Sequence, residues 1–120
     1  MNRGDLAVGL ALYRDDVESV FDPGWVGLGF GNSRGRNARF QTLTEFYAGA
    51  RELHFEPKEL IDLGDDHLLV TGRMRGTGIS SGAPFDAEWA NLVTISAGLV
   101  IRDQVFMSHR EALEAAELSE

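Results

Sequence analysis

Between His54 and Ser108 the chain reads as four long stretches of strand-forming residues separated only by short turns, and no other feature limits the fold as strongly. The stretches are His54–Leu63, His67–Ile79, Phe85–Ser96 and Leu99–Ser108; the breaks are Gly64-Asp65-Asp66, Ser80-Ser81-Gly82-Ala83-Pro84 and Ala97-Gly98. Turns this short leave no room for a crossover, so successive strands are expected to run antiparallel as a meander. Gly72, Gly76 and Gly78 lie inside the second stretch, where absent side chains permit strong bending. Pro57 interrupts the first stretch, which fits an edge strand or a bulge.

Helical signals stand on either side of this block. Asp5 is a plausible N-cap, and Leu6, Leu10 and Tyr13 follow at helical spacing until Asp15-Asp16 closes the segment. Val17–Asp22 then reads as a strand ended by Pro23-Gly24. Residues 24–36 form a glycine-rich loop carrying Trp25, Leu28 and Phe30, which either pack under the loop or serve as a flap over a pocket. Asn37 is expected to cap a second helix with an apolar stripe of Phe40, Leu43, Phe46 and Tyr47, stopped by Gly49. Arg110–Leu118 is expected to close the chain as a helix with Ala112, Leu113 and Ala116 inward. Two helices followed by a bent antiparallel sheet describe an α+β half-barrel. The 120 residues suit one domain with one core.

Charge and residue usage narrow the function classes. A net charge of −8 repels phosphate backbones, so nucleic acid is not an expected partner. There is no cysteine, which excludes disulfides, a thiolate nucleophile and a cysteine metal site, and fits a reducing, cytoplasmic setting. No apolar run approaches the ~20 residues of a membrane span, and Met1-Asn2-Arg3-Gly4-Asp5 lacks the regions of a signal peptide. His54, His67 and His109 have no paired metal spacing. Gly27-Leu28-Gly29-Phe30-Gly31 lacks the βαβ setting of a dinucleotide fingerprint, and Ser80-Ser81-Gly82 lacks a nucleophile elbow. No metal or cofactor is expected.

Three stretches, in order, carry a family likeness. They are Asn2-Arg3-Gly4-Asp5-Leu6 with Ala11-Leu12 and Asp15-Asp16-Val17-Glu18; Gly76 to Gly82; and Gly98-Leu99-Val100-Ile101-Arg102 with Phe106-Met107-Ser108 and Glu111-Ala112-Leu113. In this order the chain resembles SnoaL-like proteins of the nuclear transport factor 2-like superfamily, which also holds the ketosteroid isomerases. The resemblance implies a cone-shaped half-barrel, a strongly curved sheet around a pocket, with packed helices. Relatives place a helix of about four turns before the Asn-Arg-Gly-Asp stretch. Here the chain starts at that stretch, so the usual first helix is expected to be missing. The resemblance also implies a homodimer paired through the outer face of the sheet.

Two carboxylates are the catalytic candidates. Val20-Phe21-Asp22-Pro23-Gly24 is similar to the place where ketosteroid isomerases carry their proton-shuttling aspartate; the competing reading of Asp22 is an Asp-Pro turn that caps the following backbone. On the last strand, alternation puts Ile101, Asp103, Val105 and Met107 on one face. An acid among apolar neighbours needs a purpose or a partner, and Arg73 or Arg75 is the expected partner. An Asp22–Arg73–Asp103 site resembling that of limonene epoxide hydrolases is also conceivable. The tyrosine of the isomerase oxyanion hole belongs to the missing helix, and the position resembling the second, proton-donating aspartate is Ala90, so ketosteroid isomerase activity is not expected. The expected pocket lining is Tyr47, Arg73, Ala90, Leu92, Ile101, Val105, Met107 and His109, with Trp89 and Asn91 as further polar tips. The function implied is handling of a small apolar molecule, either by acid/base chemistry on a carbonyl- or epoxide-bearing metabolite or as a non-catalytic binding or dimerisation module.

Overall fold

The computed structural model describes residues 11–26 and 30–118. Leu6, Leu10, Leu28 and the Asp5 cap lie outside the described residues. Among the described residues six strands and three helices follow one another as β1 (Tyr13–Phe21), α1 (Pro23–Val26), β2 (Ser33–Arg34), α2 (Arg36–Ala48), β3 (Ala50–Gly64), β4 (His67–Gly78), β5 (Pro84–Ser96), β6 (Leu99–Phe106) and α3 (His109–Leu118). Tyr13 and Asp15-Asp16 therefore belong to a strand rather than to the end of a helix. Arg36 pairs with Asp15 at 2.8 Å, and Val100 N donates to Leu12 O at 2.8 Å, which commits this segment to the sheet.

One sheet runs in the order β2-β1-β6-β5-β4-β3. The meander β3–β6 is antiparallel throughout, as the short turns dictate. β1 joins β6 in parallel, because the chain between them carries β1 round to the far side of the meander. Ala97 and Gly98, at φ 51° and 80°, form the tight β5–β6 turn. The sheet bends at Gly72: a Cβ there would overlap the carbonyl oxygen of Glu56, next to the register shift at Pro57. Only glycine allows the two backbones to approach so closely.

The two faces have different coverings. On the inner face α2 packs against β1 and β3. Gly35 caps α2 at φ 106°, with no side-chain capping bond, so the cap is Gly35 and not Asn37. Arg39, Leu43, Phe46 and Tyr47 turn inward, whereas Phe40 is 42% exposed. On the outer face Leu69, Ala90 and Leu92 form a core cluster with Ala112 and Ala116 of α3, joined by Ile61, Leu63 and Phe106. Leu113, expected inward on α3, is 43% exposed. α3 thus covers part of the surface through which pairing was expected. Among the described residues no helix is long and apolar enough to cross a membrane.

Candidate functional site

The inner face closes round a cavity of about 260 Å³. Eight of its thirteen described lining residues are aromatic: Tyr13 and Phe21 of β1, Trp25 of α1, Phe30 ahead of β2, Phe46 and Tyr47 of α2, Phe55 of β3 and Trp89 of β5. The rings meet edge to face, with Trp25 5.3 Å from Phe46 and 5.8 Å from Phe30, and Phe55 5.7 Å from Trp89. Such contacts add about 0.5–1.5 kcal/mol each beyond area burial. They also set flat walls at fixed angles.

Beneath this wall lies one charged pair. Asp103 of β6 has no exposed surface, and Arg39 of α2 is 6% exposed. Their Nε–Oδ2 distance is 3.1 Å. The carboxylate is held from every side. Ser19 donates to Oδ1 at 2.5 Å, and Oδ2 accepts from Tyr13, Arg39 and Asn91 at 3.2, 3.1 and 3.4 Å. A buried ion is tolerated only when its charge and lone pairs are met in this way. Strand pairing supplies the geometry, since Asp103 lies opposite Ser19 on one side and Val93 on the other. The Arg39 guanidinium also sits 5.4 Å from the centre of the Phe21 ring and 6.0 Å from that of Tyr13. Burial, followed by the Asp103 charge, pushes the Tyr13 phenol up to about 12, so it stays protonated at neutral pH.

Of the described residues that line the cavity only Arg39 is charged, and Asp103 neutralises it. Asn91 Oδ1 and the indole Nε1 atoms of Trp25 and Trp89 are buried with no hydrogen-bond partner among the described residues. Burying such groups unpaired is costly, so these are the polar contacts that a guest in the cavity would satisfy.

The structure separates the expected site residues into three groups. Tyr47 and Val105 line the cavity, and Asp103 sits behind its wall. Asp22 is elsewhere: Oδ1 accepts from Trp25 N and Oδ2 from Met107 N, both at 3.1 Å, so its carboxylate caps the first turn of α1 and ties it to the end of β6. The remaining residues are not in this cavity. Ala90 and Leu92 face α3. Arg73 pairs with Asp86 at 2.9 Å in an exposed contact and Arg75 with Glu56, so neither meets Asp103, and no Asp22–Arg73–Asp103 site exists. Ile101 falls at a register shift: Thr94 pairs with Arg102 but Ile95 with Val100, which leaves Ile101 as the extra residue and gives the inner face to Val100. Met107 lines a neighbouring cavity. His109 begins α3, with Nε2 2.7 Å from Gly72 O.

Sequence reasoning missed Arg39, Ser19 and the Tyr13 hydroxyl. The available signal was the i, i+4, i+7, i+8 spacing of Arg39, Leu43, Phe46 and Tyr47, which fits an inward stripe as well as one starting at Phe40. Among the described residues no group of acidic or histidine side chains is placed to hold a metal ion.

The sequence profile of the SnoaL-like domain matches residues 1–103, and the chain belongs to that family. None of the curated proteins matches it. Its fold is similar to that of a nuclear transport factor 2-like protein from Burkholderia thailandensis (TM-score 0.76, 20% identity, 98% of this chain and 87% of that one). It is also similar to TerC co-crystallised with polyporic acid (TM-score 0.74, 21% identity, 95% and 87%). A third similar structure is a ketosteroid isomerase-like protein from Catenulispora acidiphila in complex with trimethylamine (TM-score 0.72, 17% identity, 97% and 84%). The family and the cavity together define a small-molecule-binding protein.

Proposed function

We propose that this chain binds a flat, neutral, mainly apolar molecule carrying a carbonyl oxygen. The ring of the guest lies between the aromatic walls, and its oxygen faces Arg39 and the indole N–H groups. The observation that carries this reading is the pairing of eight aromatic lining residues with one buried, already neutralised cation. A carboxylate guest would bring a second negative charge close to Asp103, whereas a carbonyl accepts a hydrogen bond without adding charge. Similar folds holding polyporic acid and trimethylamine support a ligand-binding use of the scaffold.

Asp103 acts here as a positioning residue rather than as the acid or base. Its oxygens are occupied by four donors, and through them it fixes Arg39, Tyr13 and Asn91 at the wall. The described lining holds no carboxylate or imidazole free to take a proton from the guest. Binding is therefore favoured over acid/base catalysis. For self-association, we place the contact on the part of the outer face that α3 leaves open, where Val20 of β1 and Gln104 of β6 lie in register with Leu92.

Acetophenone is a suitable probe, because Trp25 and Trp89 are the two tryptophans of the chain and both line the cavity. Titration should shift both indole N–H resonances saturably, and Leu43→Phe, which fills the cavity, should weaken the effect. Failure of either indole to respond at millimolar ketone would overturn the reading. Deuterium exchange at the acetophenone methyl group should not be accelerated; acceleration that Asp103→Asn abolishes would return Asp103 to a catalytic role.

A further inference from the structure

A second cavity, of about 460 Å³, lies beside the first. Phe30 and Phe46 line both cavities, with ring centres 5.6 Å apart. The wall between the two spaces is therefore shared aromatic side chain rather than backbone. The second cavity has a different character. It is lined by the small residues Gly49, Ala50 and Ala87, by the thioethers of Met74 and Met107, and by Phe85. The one charged residue in its described lining is Glu45, which is exposed at the rim. Its described lining holds no buried cation and no unpartnered indole.

The geometry points to a two-part ligand: we propose that the second cavity receives the flexible apolar tail of a molecule whose aromatic ketone head sits against Arg39. Three observations carry this. First, the cavities are divided by movable side chains that line both: Phe30 is only partly buried, and a change of its rotamer would open the wall. Second, the head cavity offers rigid rings and hydrogen-bond donors, whereas the tail cavity offers unbranched, polarisable methionines that adapt to a chain without fixed shape. Third, small residues keep the tail cavity open. Ala87 sits opposite Met74 in the β4–β5 ladder, and Ala50 opposite Gly78 in the β3–β4 ladder, positions at which larger side chains would fill the space. The ligand class is thus an aryl ketone with an alkyl or alkenyl chain. The inference rests on the proposed function, because the head must be seated for the tail to be aimed.

The test uses phenyl alkyl ketones of increasing length, acetophenone, butyrophenone and hexanophenone, titrated into the whole chain by calorimetry. Each methylene that becomes buried should tighten binding roughly fourfold, from ~0.8 kcal/mol per methylene. Hexanophenone, four methylenes longer than acetophenone, should then bind on the order of a hundredfold tighter if its whole tail is buried. Ala87→Phe and, separately, Ala50→Leu should abolish that gain while leaving acetophenone affinity within a factor of about two, because neither residue lines the head cavity. Retained acetophenone binding shows that each variant is folded. If both variants bind acetophenone and still prefer hexanophenone as strongly as the unaltered chain does, the tail cavity is refuted and the head site stands. If acetophenone itself does not bind the unaltered chain, the head reading fails and the tail assignment fails with it.

Discussion

Replacing Arg39 by Met removes the one positive charge that meets Asp103 while keeping an unbranched apolar stem of similar length. At the observed 3.1 Å separation and an effective dielectric of about 20, the lost attraction is roughly 5 kcal/mol. Ser19, Tyr13 and Asn91 still donate to the carboxylate, so part of the charge remains solvated by dipoles. Removing one partner of a buried pair costs about 3–5 kcal/mol, and the three surviving donors place this case near 3 kcal/mol. That is a large share of the ~5–15 kcal/mol that holds a domain folded. Urea unfolding followed by circular dichroism should show a lower midpoint at unchanged slope. The decisive comparison is the double variant Arg39→Met/Asp103→Asn, in which no unpaired charge remains. It should recover about 2 kcal/mol relative to Arg39→Met alone, a coupling well outside the additivity of independent sites. If Arg39→Met lies within about 1 kcal/mol of the unaltered protein, or if the two single effects simply add, the buried pair does not organise the site as argued.

Other expectations follow from the same geometry. Tyr13 should ionise only near pH 12, seen as a late phase in absorbance at alkaline pH that Tyr13→Phe removes. Because its folded value is raised, the stabilisation is complete below the ordinary tyrosine range near 10 and is lost as pH rises towards 12; a Tyr13→Phe protein should be less sensitive across that window. Gly72→Ala should destabilise by about 1–3 kcal/mol, since a Cβ there meets the Glu56 carbonyl, and an unchanged thermal midpoint would refute the close approach. Asp22→Ala should lower stability by about 1–2 kcal/mol through loss of the α1 cap, with acetophenone affinity reduced less than by Leu43→Phe; abolished binding at full stability would instead make Asp22 a site residue. Val20→Glu on the outer face should weaken any self-association seen by sedimentation, and material of monomer mass alone at micromolar concentration would remove the homodimer proposal.

How far the sequence discloses this site depends on which physical rule fixes each residue. The meander was legible because turn length alone forbids the alternatives: Ala97-Gly98 can only reverse the chain. The burial of Asp103 was legible from strand alternation, which holds from Arg102 to Val105. Alternation misplaces Ile101 because one bulge residue shifts everything before it to the other face, and a bulge leaves no mark in composition. For Ala90 and Leu92 strand alternation puts both on one face, but both faces are apolar, and only the docking of α3 decides that theirs is the outer one. The partner of Asp103 was the hardest to read. Strand neighbours such as Arg73 are close in sequence pattern, yet a buried carboxylate needs a cation that is itself withdrawn from water, and Arg73 stays exposed with Asp86. Only a helix lying across the inner face can deliver such a cation. α2 does so by turning Arg39 inward at the expense of Phe40, which a purely hydrophobic reading would bury. The exposed Phe40 and the buried Arg39 are one observation: a single choice of helix rotation, made by the charge on Asp103.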